Sequence, residues 1–149
     1  MQKNSPLHVL VIPTWYPHGE DKLIGVYHKL FCTALAEYGV KANMLYVDRQ
    51  GLSSLPKSPT MQKVYEESNT GYVTYCRRML DISKFSADAQ LSAYCRTIEK
   101  LYKAYVKQHG KPDILHAHVT VPAGYAAVKL GEKYHIPVVI MEHSSYFER

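Results

Sequence analysis

The fold is decided by residues 113–143, which read DILHAHVTVPAGYAAVKLGEKYHIPVVIMEH. An apolar run stands at each end of this stretch, and a proline–glycine segment followed by apolar residues at helical spacing lies between them. These patterns predict a strand over 113–118, a helix over 122–134 and a second strand over 137–143. A strand–helix–strand unit of this kind predicts two parallel strands joined by a crossover helix.

The amino-terminal part of the chain has the same order of elements. HVLVI (8–12) predicts a first strand, a helix begins near Gly25, and Gly39 lies where a glycine commonly ends a helix. Apolar residues of this helix recur at helical spacing, namely Tyr27, Leu30, Phe31, Ala34, Leu35 and Tyr38. KANMLYV (41–47) then predicts a second strand, which completes another strand–helix–strand unit.

Between these two units the sequence predicts a hairpin and a long helix. Residues 62–79 have the pattern of two strands around an Asn-Thr-Gly turn, which suits a sheet edge, and 48–61 predict a loop. Residues 87–109 predict a helix that Gly110 and Pro112 end. Strands that alternate with helices and are continuously apolar predict an α/β sheet covered by helices on both faces.

Composition and charge fit one ordinary globular domain. The chain has 149 residues, of which 46% are hydrophobic and 21% charged, with a net charge of +5. The basic residues are scattered and no nucleic-acid motif occurs, so we expect no nucleic-acid partner. Cys32, Cys76 and Cys95 show no disulfide or zinc spacing, no run is apolar enough to span a membrane, and the first apolar run lacks a signal-peptide cleavage site. We therefore expect a cytoplasmic protein.

The predicted ligand site lies at one edge of the sheet. In open parallel sheets, ligands bind at the carboxyl ends of the strands, where the strand order reverses. This places the loops 13–25, 116–122 and 142–149 together. Neither a G-x-G-x-x-G nor a P-loop motif occurs in the sequence, so no cofactor is expected.

Histidines near this edge have three interpretations. His116 and His118 are two positions apart and project to one side of an extended segment, and His143 ends the neighbouring strand. Three histidines could hold zinc, but Asp113 and Glu142 are the only nearby carboxylates that could support them, so we expect no metal. We favour a core position for His116, and for His118, one step into the loop, contact with a polar ligand.

Other residues of the edge have two interpretations each. Gly25 lets a phosphate or sugar approach the backbone at a helix N-terminus, or it only permits a turn. Trp15 and Tyr16 either form a platform on which a sugar stacks, or pack under the loop between Pro13 and Pro17.

The long helix also carries a basic face, formed by Arg96, Lys100, Lys103 and Lys107. Such a face can rest on an anionic membrane, although a solvated face is the commoner case.

Two stretches together resemble the N-terminal domain of retaining glycosyltransferase family 4, which has the GT-B fold. They are TWYPHGEDKLIGVYHKLFCTALAEYGV (14–40) and PDILHAHVTVPAGYAAVKLGEKYHIPVVIMEHSSYF (112–147). The ordered set of H-x-H, P-x-G, helix, I-P, apolar strand and E-H carries the resemblance. It implies a Rossmann-like, doubly wound, mostly parallel sheet with helices on both faces, which is the N-terminal, acceptor-side half of a GT-B fold.

The resemblance also implies roles for residues. His118 is similar to the histidine that contacts the transferred sugar, and His116 would support it. Gly25 is similar to the glycine beside the donor phosphates, although the family's frequent Gly-Gly is here Ile24-Gly25. Together with Trp15 and Tyr16, the predicted substrate-binding residues are Gly25, Gly124, Glu142, His143 and Ser144. The expected partners are a nucleotide-sugar donor and a glycan or lipid-linked acceptor, with peripheral contact to the inner face of the membrane.

The chain departs from the family in one large respect. A GT-B enzyme has a second Rossmann domain that grips the nucleotide sugar and carries two glutamates eight positions apart, and no two glutamates here have that spacing. We therefore expect 1–149 to be a single truncated domain that is inactive alone. Two other function classes remain open: a stand-alone α/β module that binds a phosphorylated small molecule, and a histidine-based metal hydrolase.

Overall fold

The computed structural model describes residues 5–17, 25–51, 64–69 and 71–143. Within these ranges the strands are β1 (His8–Pro13), β2 (Lys41–Gln50), β3 (Val64–Ser68), β4 (Val73–Leu80), β5 (Ile114–His118) and β6 (Val138–Met141). The helices are α1 (Val26–Glu37), α2 (Ala87–His109) and α3 (Tyr125–Tyr134), with a π-helical turn over Thr120–Gly124 before α3.

All six strands form one sheet in the order β3-β4-β2-β1-β5-β6. Five of them are parallel, and β3 pairs antiparallel with β4 at the edge. This confirms the two strand–helix–strand units and the edge hairpin. From β1 the chain goes first to β2 on one side and later to β5 on the other, so the strand order reverses at the β1–β5 pair.

Helices cover both faces of the sheet, which confirms the doubly wound α/β architecture. On one face, α1 packs over a cluster of buried residues that includes Val11, Met44 and Cys32. On the other, α2 and α3 pack over a larger cluster that includes Leu10, Leu45 and Leu115. Odd and even positions of β1 and β2 thus divide between two cores, as expected when both faces of a strand are covered.

The buried face of α1 differs from the predicted apolar stripe. His28 and Cys32 face inward, whereas Leu30 is 65% exposed and Tyr38 86% exposed. Two positions along an α-helix are about 200° apart, so a helix that buries His28 must turn Leu30 away from the sheet. The histidine packs inward against the rings of His118 and His143, a contact that local periodicity does not encode.

α2 has the predicted bounds. The side chain of Ser86 accepts a hydrogen bond from the Ala89 amide at 3.2 Å, and Gly110 follows the helix with a φ of 81°. Its buried stripe contains Tyr94, Ile98, Leu101, Tyr102 and Tyr105. This face packs on the sheet, and the basic residues of α2 are exposed. No helix in the described part of the chain is both long and apolar enough to cross a membrane.

α3 begins three residues later than predicted. The wide turn over Thr120–Gly124 occupies the positions where the sequence predicts the first helical turn. Residues 18–24, 52–63, 70 and 144–149, which include most of the 48–61 segment, lie outside the described residues.

Candidate functional site

The candidate site lies where the carboxyl ends of β1 and β5 meet. Pro13 pairs with His118 at the end of the two strands, and the Thr14 hydroxyl donates a hydrogen bond to the His118 carbonyl at 3.1 Å. The Val119 amide donates to the Met141 carbonyl at 2.8 Å, which joins the end of β5 to β6. The loops after β1, β5 and β6 therefore begin at one edge, at the reversal of strand order.

A hydrogen-bonded network of three side chains lies on the α1 side of this edge. Nδ1 of His118 is 2.6 Å from the Tyr27 hydroxyl and 2.9 Å from Nε2 of His143. Tyr27 is also hydrogen-bonded to His143. His118 is fully buried, Tyr27 is half-buried and His143 is exposed. The structure thus brings His118 and His143 together, with Tyr27, which the sequence did not single out, between them.

The structure places His118 as the last residue of β5, at the end of the strand predicted over 113–118 and not one step into the loop. The register with Pro13 extends strand pairing to this position, and the ring is enclosed by α1. Its contact with a sugar remains a prediction.

Four imidazoles pack together here, and we call His28, His116, His118 and His143 the histidine cluster. Ring centroids are 4.7 Å apart for His28 and His118, 4.6 Å for His116 and His118, and 5.2 Å for His118 and His143. Phe31 contacts His116 and His118 edge-on. His116 is half-buried and its ring stacks on that of His118, while its supporting role remains a prediction.

The environment keeps the buried imidazoles neutral. Burial, followed by the charges that His28, His116 and His143 would carry, lowers the pKa of His118 to about 3. Burial first, then His143 and His116, lowers the pKa of His28 to about 4. Burial and His143 also lower the pKa of His116. At neutral pH, His118 is therefore an uncharged hydrogen-bonding group whose Nε2 has no hydrogen-bond partner among the described residues.

The cluster does not have the geometry of a metal centre. Among the described residues, no three His, Cys, Asp or Glu side chains are arranged to hold a metal ion. Asp113 accepts from the His8 amide at the opposite edge of the sheet, where it cannot support the histidines.

Glu142 fixes the loop after β5. Its Oε2 accepts hydrogen bonds from the Thr120 amide at 2.8 Å and the Thr120 hydroxyl at 2.6 Å. Its Oε1 accepts from the amide of His143 at 2.9 Å. The carboxylate therefore positions two loops of the site relative to each other.

Val119 lies between His118 and Thr120, the residue that Glu142 binds, and its backbone is strained. Its φ is 76°, a region that a β-branched residue rarely adopts and that costs about 1–3 kcal/mol. Its amide and carbonyl are both bonded, to Met141 and to the Gly124 amide, so the surroundings hold the conformation. Local sequence gives no signal for this feature, because valine disfavours it.

Both predicted site glycines have a steric reason to be glycine. Gly25 has a φ of 71°, and a Cβ there would lie 2.7 Å from the Trp15 carbonyl oxygen. At Gly124, a Cβ would meet the Val119 carbonyl oxygen at 3.1 Å and the Ile140 side chain at 3.2 Å. Gly25 thus brings the start of α1 against the loop after β1, at the same edge as the histidine cluster.

A pocket of about 270 Å³ opens on the α2 side of the same edge. Its lining includes Trp15, Arg49, Gln90, Tyr94, Val121 and Pro122. Trp15 is 41% exposed and faces this pocket, as a stacking residue would. The sequence did not single out Arg49 or Gln90, and it assigned Tyr94 to the core stripe of α2. Only the fold brings the end of β2 next to the first turns of α2.

One of the remaining predicted residues, Tyr16, does not join the site, and another, Ser144, is not described. Tyr16 is 2% exposed and lies in the α1-side core, where its hydroxyl is 3.3 Å from Thr74 Oγ1. Trp15 and Tyr16 therefore do not form a joint platform, because successive side chains of an extended segment point to opposite faces. Ser144 lies outside the described residues.

Comparisons with known proteins show the family of the chain and a similar fold. The model of Glycosyltransferase Family 4 matches residues 24–149. The chain is similar to sucrose-phosphate synthase from Thermosynechococcus elongatus, with 16% identity and a TM-score of 0.57 over 92% of this chain and 33% of that one. An E. coli trehalose-6-phosphate structure bound with UDP-2-fluoro glucose gives 12% identity and a TM-score of 0.43, over 90% and 32% of the two chains. No curated protein matches the chain at a significant level.

Proposed function

Because the chain belongs to Glycosyltransferase Family 4, we propose that it is the acceptor-side, N-terminal domain of a retaining hexosyltransferase. The family match, which includes every residue of the histidine cluster, is the observation that carries the proposal. The chain spans about a third of the length of the structures it resembles. In this proposal, a second Rossmann domain supplies the rest of the nucleotide-sugar site, and the chain alone transfers no sugar.

His118 contacts the transferred sugar in this proposal. Nδ1 is occupied by Tyr27 and His143, so Nε2 is the nitrogen free to bond a sugar hydroxyl. A neutral imidazole suits that task, because it bonds a hydroxyl without placing a charge beside it. Since His118 is fully buried, a sugar reaches Nε2 only if the side chains that enclose the ring rearrange.

The donor's phosphates lie near Gly25 in this proposal. The close approach of Gly25 to the loop after β1 leaves no space for a side chain, and α1 begins at the next residue. A helix N-terminus favours negative charge because its amides point outward and its dipole is positive there. Stabilisation of the leaving diphosphate comes mainly from cationic groups of the second domain.

The acceptor is a glycan or a lipid-linked saccharide. The exposed basic residues of α2 (Arg96, Lys100, Lys103 and Lys107) allow peripheral contact with an anionic membrane. This contact is electrostatic only, because the apolar face of α2 is packed on the sheet. It should weaken as salt is added.

A transfer assay tests the proposal. The native polypeptide that contains this chain is incubated with a panel of nucleotide hexoses and its membrane or glycan acceptors, and transfer and anomeric configuration are measured. His118→Asn should lower kcat/KM by at least about 100-fold, as expected for loss of a group that bonds the reacting sugar. His135→Asn is the matched control, because His135 is exposed and lies outside the site. Equal activity of the two variants, or inversion at the anomeric carbon, would contradict the proposal.

A further inference from the structure

The Tyr27 hydroxyl lies between two imidazole nitrogens and has one proton to donate. It is 2.6 Å from Nδ1 of His118 and is hydrogen-bonded to Nε2 of His143, and the two nitrogens are 2.9 Å apart. Burial raises the pKa of Tyr27 above its ordinary value, so the hydroxyl keeps its proton at neutral pH. Because a hydroxyl donates one hydrogen bond and accepts others, Tyr27 donates to one imidazole and accepts from the other.

This arrangement makes the protonation of the two nitrogens interdependent. If both nitrogens were bare, their lone pairs would face each other at 2.9 Å, and if both carried protons, neither could accept the hydroxyl proton. The network is therefore fully bonded only when one nitrogen carries a proton and the other is bare. A neutral imidazole has one protonated nitrogen, so a bare Nδ1 in His118 means a protonated Nε2, and the reverse.

His143 selects one of the two arrangements when it is charged. It is exposed, whereas His118 is fully buried. Burial is the main reason that the pKa of His118 is lowered to about 3, so His118 stays neutral while His143 exchanges its proton with solvent. Both nitrogens of an imidazolium carry protons, so Nε2 of a charged His143 must donate. Nδ1 of His118 must then be bare, and its Nε2 must carry the proton.

The described groups around the network are neutral or bound elsewhere. His28 from α1 and His116 from β5 pack against His118, and burial lowers the pKa of both, so they are uncharged at neutral pH. Lys29 of α1 lies over the Tyr16 ring. β6 contains no charged residue, and the carboxylate of Glu142 after it is held by Thr120 and by the backbone amide of His143.

We propose that Tyr27 and His143 are positioning residues that set the tautomer of His118, and that a proton on His143 makes Nε2 of His118 a hydrogen-bond donor. A protonation at the surface thus changes a buried group without bringing a charge into the core. That Nε2 serves a sugar hydroxyl rests on the proposed function. The tautomer itself does not, and it can be measured without a substrate.

Nitrogen NMR of the native polypeptide, produced with labelled histidines, measures the tautomer, because bare and protonated imidazole nitrogens give well-separated signals. Spectra are recorded over a pH range that spans the titration of His143. While His143 is charged, we expect His118 to have a protonated Nε2 and a bare Nδ1. As His143 loses its proton, both arrangements bond the network, so the Nδ1-protonated tautomer of His118 should appear with the same midpoint as the His143 signals.

Two variants separate the roles of the positioning residues. His143→Leu, at an exposed position, leaves Nδ1 of His118 as the acceptor of the Tyr27 proton, so we expect the Nε2-protonated tautomer at every pH and no titration step. When Tyr27→Phe is added to His143→Leu, no hydroxyl bonds a bare Nδ1, and the Nδ1-protonated tautomer should appear. His135→Asn replaces an exposed histidine outside the site, and it should keep the wild-type step of His118.

Three results overturn the inference: a protonated Nδ1 in His118 while His143 is charged, a His118 step that persists in His143→Leu, or the same tautomer in His143→Leu and the double variant. A hydroxyl with a purely structural role would change Tm and leave the tautomer as it was. If sugar transfer is seen with any of these, the proposed function stands and the inference fails. If the tautomer follows His143 and Tyr27 but no transfer is found, the positioning roles stand and the transferase function fails.

Discussion

The hydroxyl of Thr14 donates a hydrogen bond to the carbonyl of His118, 3.1 Å away and 104 positions along the chain. This bond joins the loop after β1 to the end of β5 at the reversal of strand order. On one side of it lies the histidine cluster, and on the other lies the pocket that Arg49 and Tyr94 line. The histidine cluster and the pocket therefore meet at one junction at the carboxyl edge of the sheet.

Gly25→Ala should destabilise the chain more than Gly39→Ala. Both glycines have left-handed backbones, with φ of 71° and 76°, which costs a residue with a Cβ roughly 1–2 kcal/mol. Only at Gly25 would the new Cβ also meet backbone, 2.7 Å from the Trp15 carbonyl oxygen, whereas nothing lies within 4 Å at Gly39. Urea denaturation should give an excess cost of at least about 1 kcal/mol for Gly25→Ala. Equal costs would show that the start of α1 is not held against the loop after β1.

Glu142→Gln should loosen the loop after β5. The amide keeps one acceptor oxygen, but the charge that strengthens the two bonds from Thr120 is lost, so we expect a cost of about 1–3 kcal/mol. Hydrogen exchange at the Thr120 amide should speed up. Thr120→Val is the matched variant, because it removes the hydroxyl bond and keeps the amide bond. If exchange at this amide is unchanged in Glu142→Gln, the carboxylate does not position the loop.

Stability should fall on the acid side of neutrality because of the histidine cluster. A histidine whose pKa is lowered in the folded state binds its proton more readily when unfolded. Above about pH 6.5 its protonation therefore has no effect on the free energy of unfolding, and below that pH it destabilises the fold progressively. His118 and His28, with folded pKa values of about 3 and about 4, each add up to about 1.4 kcal/mol per pH unit over that range. Denaturation should be followed from pH 7.5 to pH 4.5.

His28→Phe should flatten this pH dependence. The variant removes a ring whose two nitrogens lack partners among the described residues, and keeps its aromatic packing against His118. Its slope of stability against pH should be smaller than that of the wild type by up to about 1.4 kcal/mol per pH unit. Identical slopes would show that His28 is not a buried neutral histidine.

Glu99→Gln should weaken the contact between α2 and α3. The Glu99 Oε1 accepts from Lys103 Nζ at 2.8 Å, Lys133 Nζ at 2.9 Å and the Tyr134 hydroxyl at 2.9 Å. Hydrogen bonds from the two lysines lower the pKa of Glu99 to about 2, so its contribution is present above about pH 4.5 and is lost as pH falls through about 2.

The side chain is partly exposed, so we expect Glu99→Gln to cost only about 0.5–1 kcal/mol at pH 7. Glu132→Gln is the control, since its pair with Lys129 is 3.6 Å long and more exposed. Chemical denaturation compares the two. A Glu132→Gln cost equal to that of Glu99→Gln would mean that the Glu99 contacts contribute nothing specific.

Elements with strong local signals were predicted well from the sequence. The bounds of α2 follow from its apolar period and from Gly110, and the β3–β4 hairpin follows from two β-rich runs around a turn. These signals are local, so they need no knowledge of what the element packs against. The inward face of α1 was not predicted, because His28 is buried by contacts with β5 that lie 90 positions away.

The sequence predicted the edge of the sheet at which the candidate site lies, but not the residues of the pocket. The order of the predicted strands was enough to place His118 and His143 at one edge, because the carboxyl ends of parallel strands lie together. The pocket was missed because Arg49, Gln90 and Tyr94 each fit an ordinary position in a strand or helix. What distinguishes them is hydrogen-bonding groups and a charge without partners among the described residues, and both depend on tertiary neighbours. Tyr27 was missed for the same reason.

The mass of the native polypeptide tests most directly whether this chain is one half of a transferase. An antibody raised against the 149-residue chain would detect it in the source cell. The account predicts a band well above 17.0 kDa, roughly twice that mass or more, as expected for two domains. A band at 17.0 kDa would contradict it, and the chain would then be a stand-alone α/β module that binds a phosphorylated small molecule.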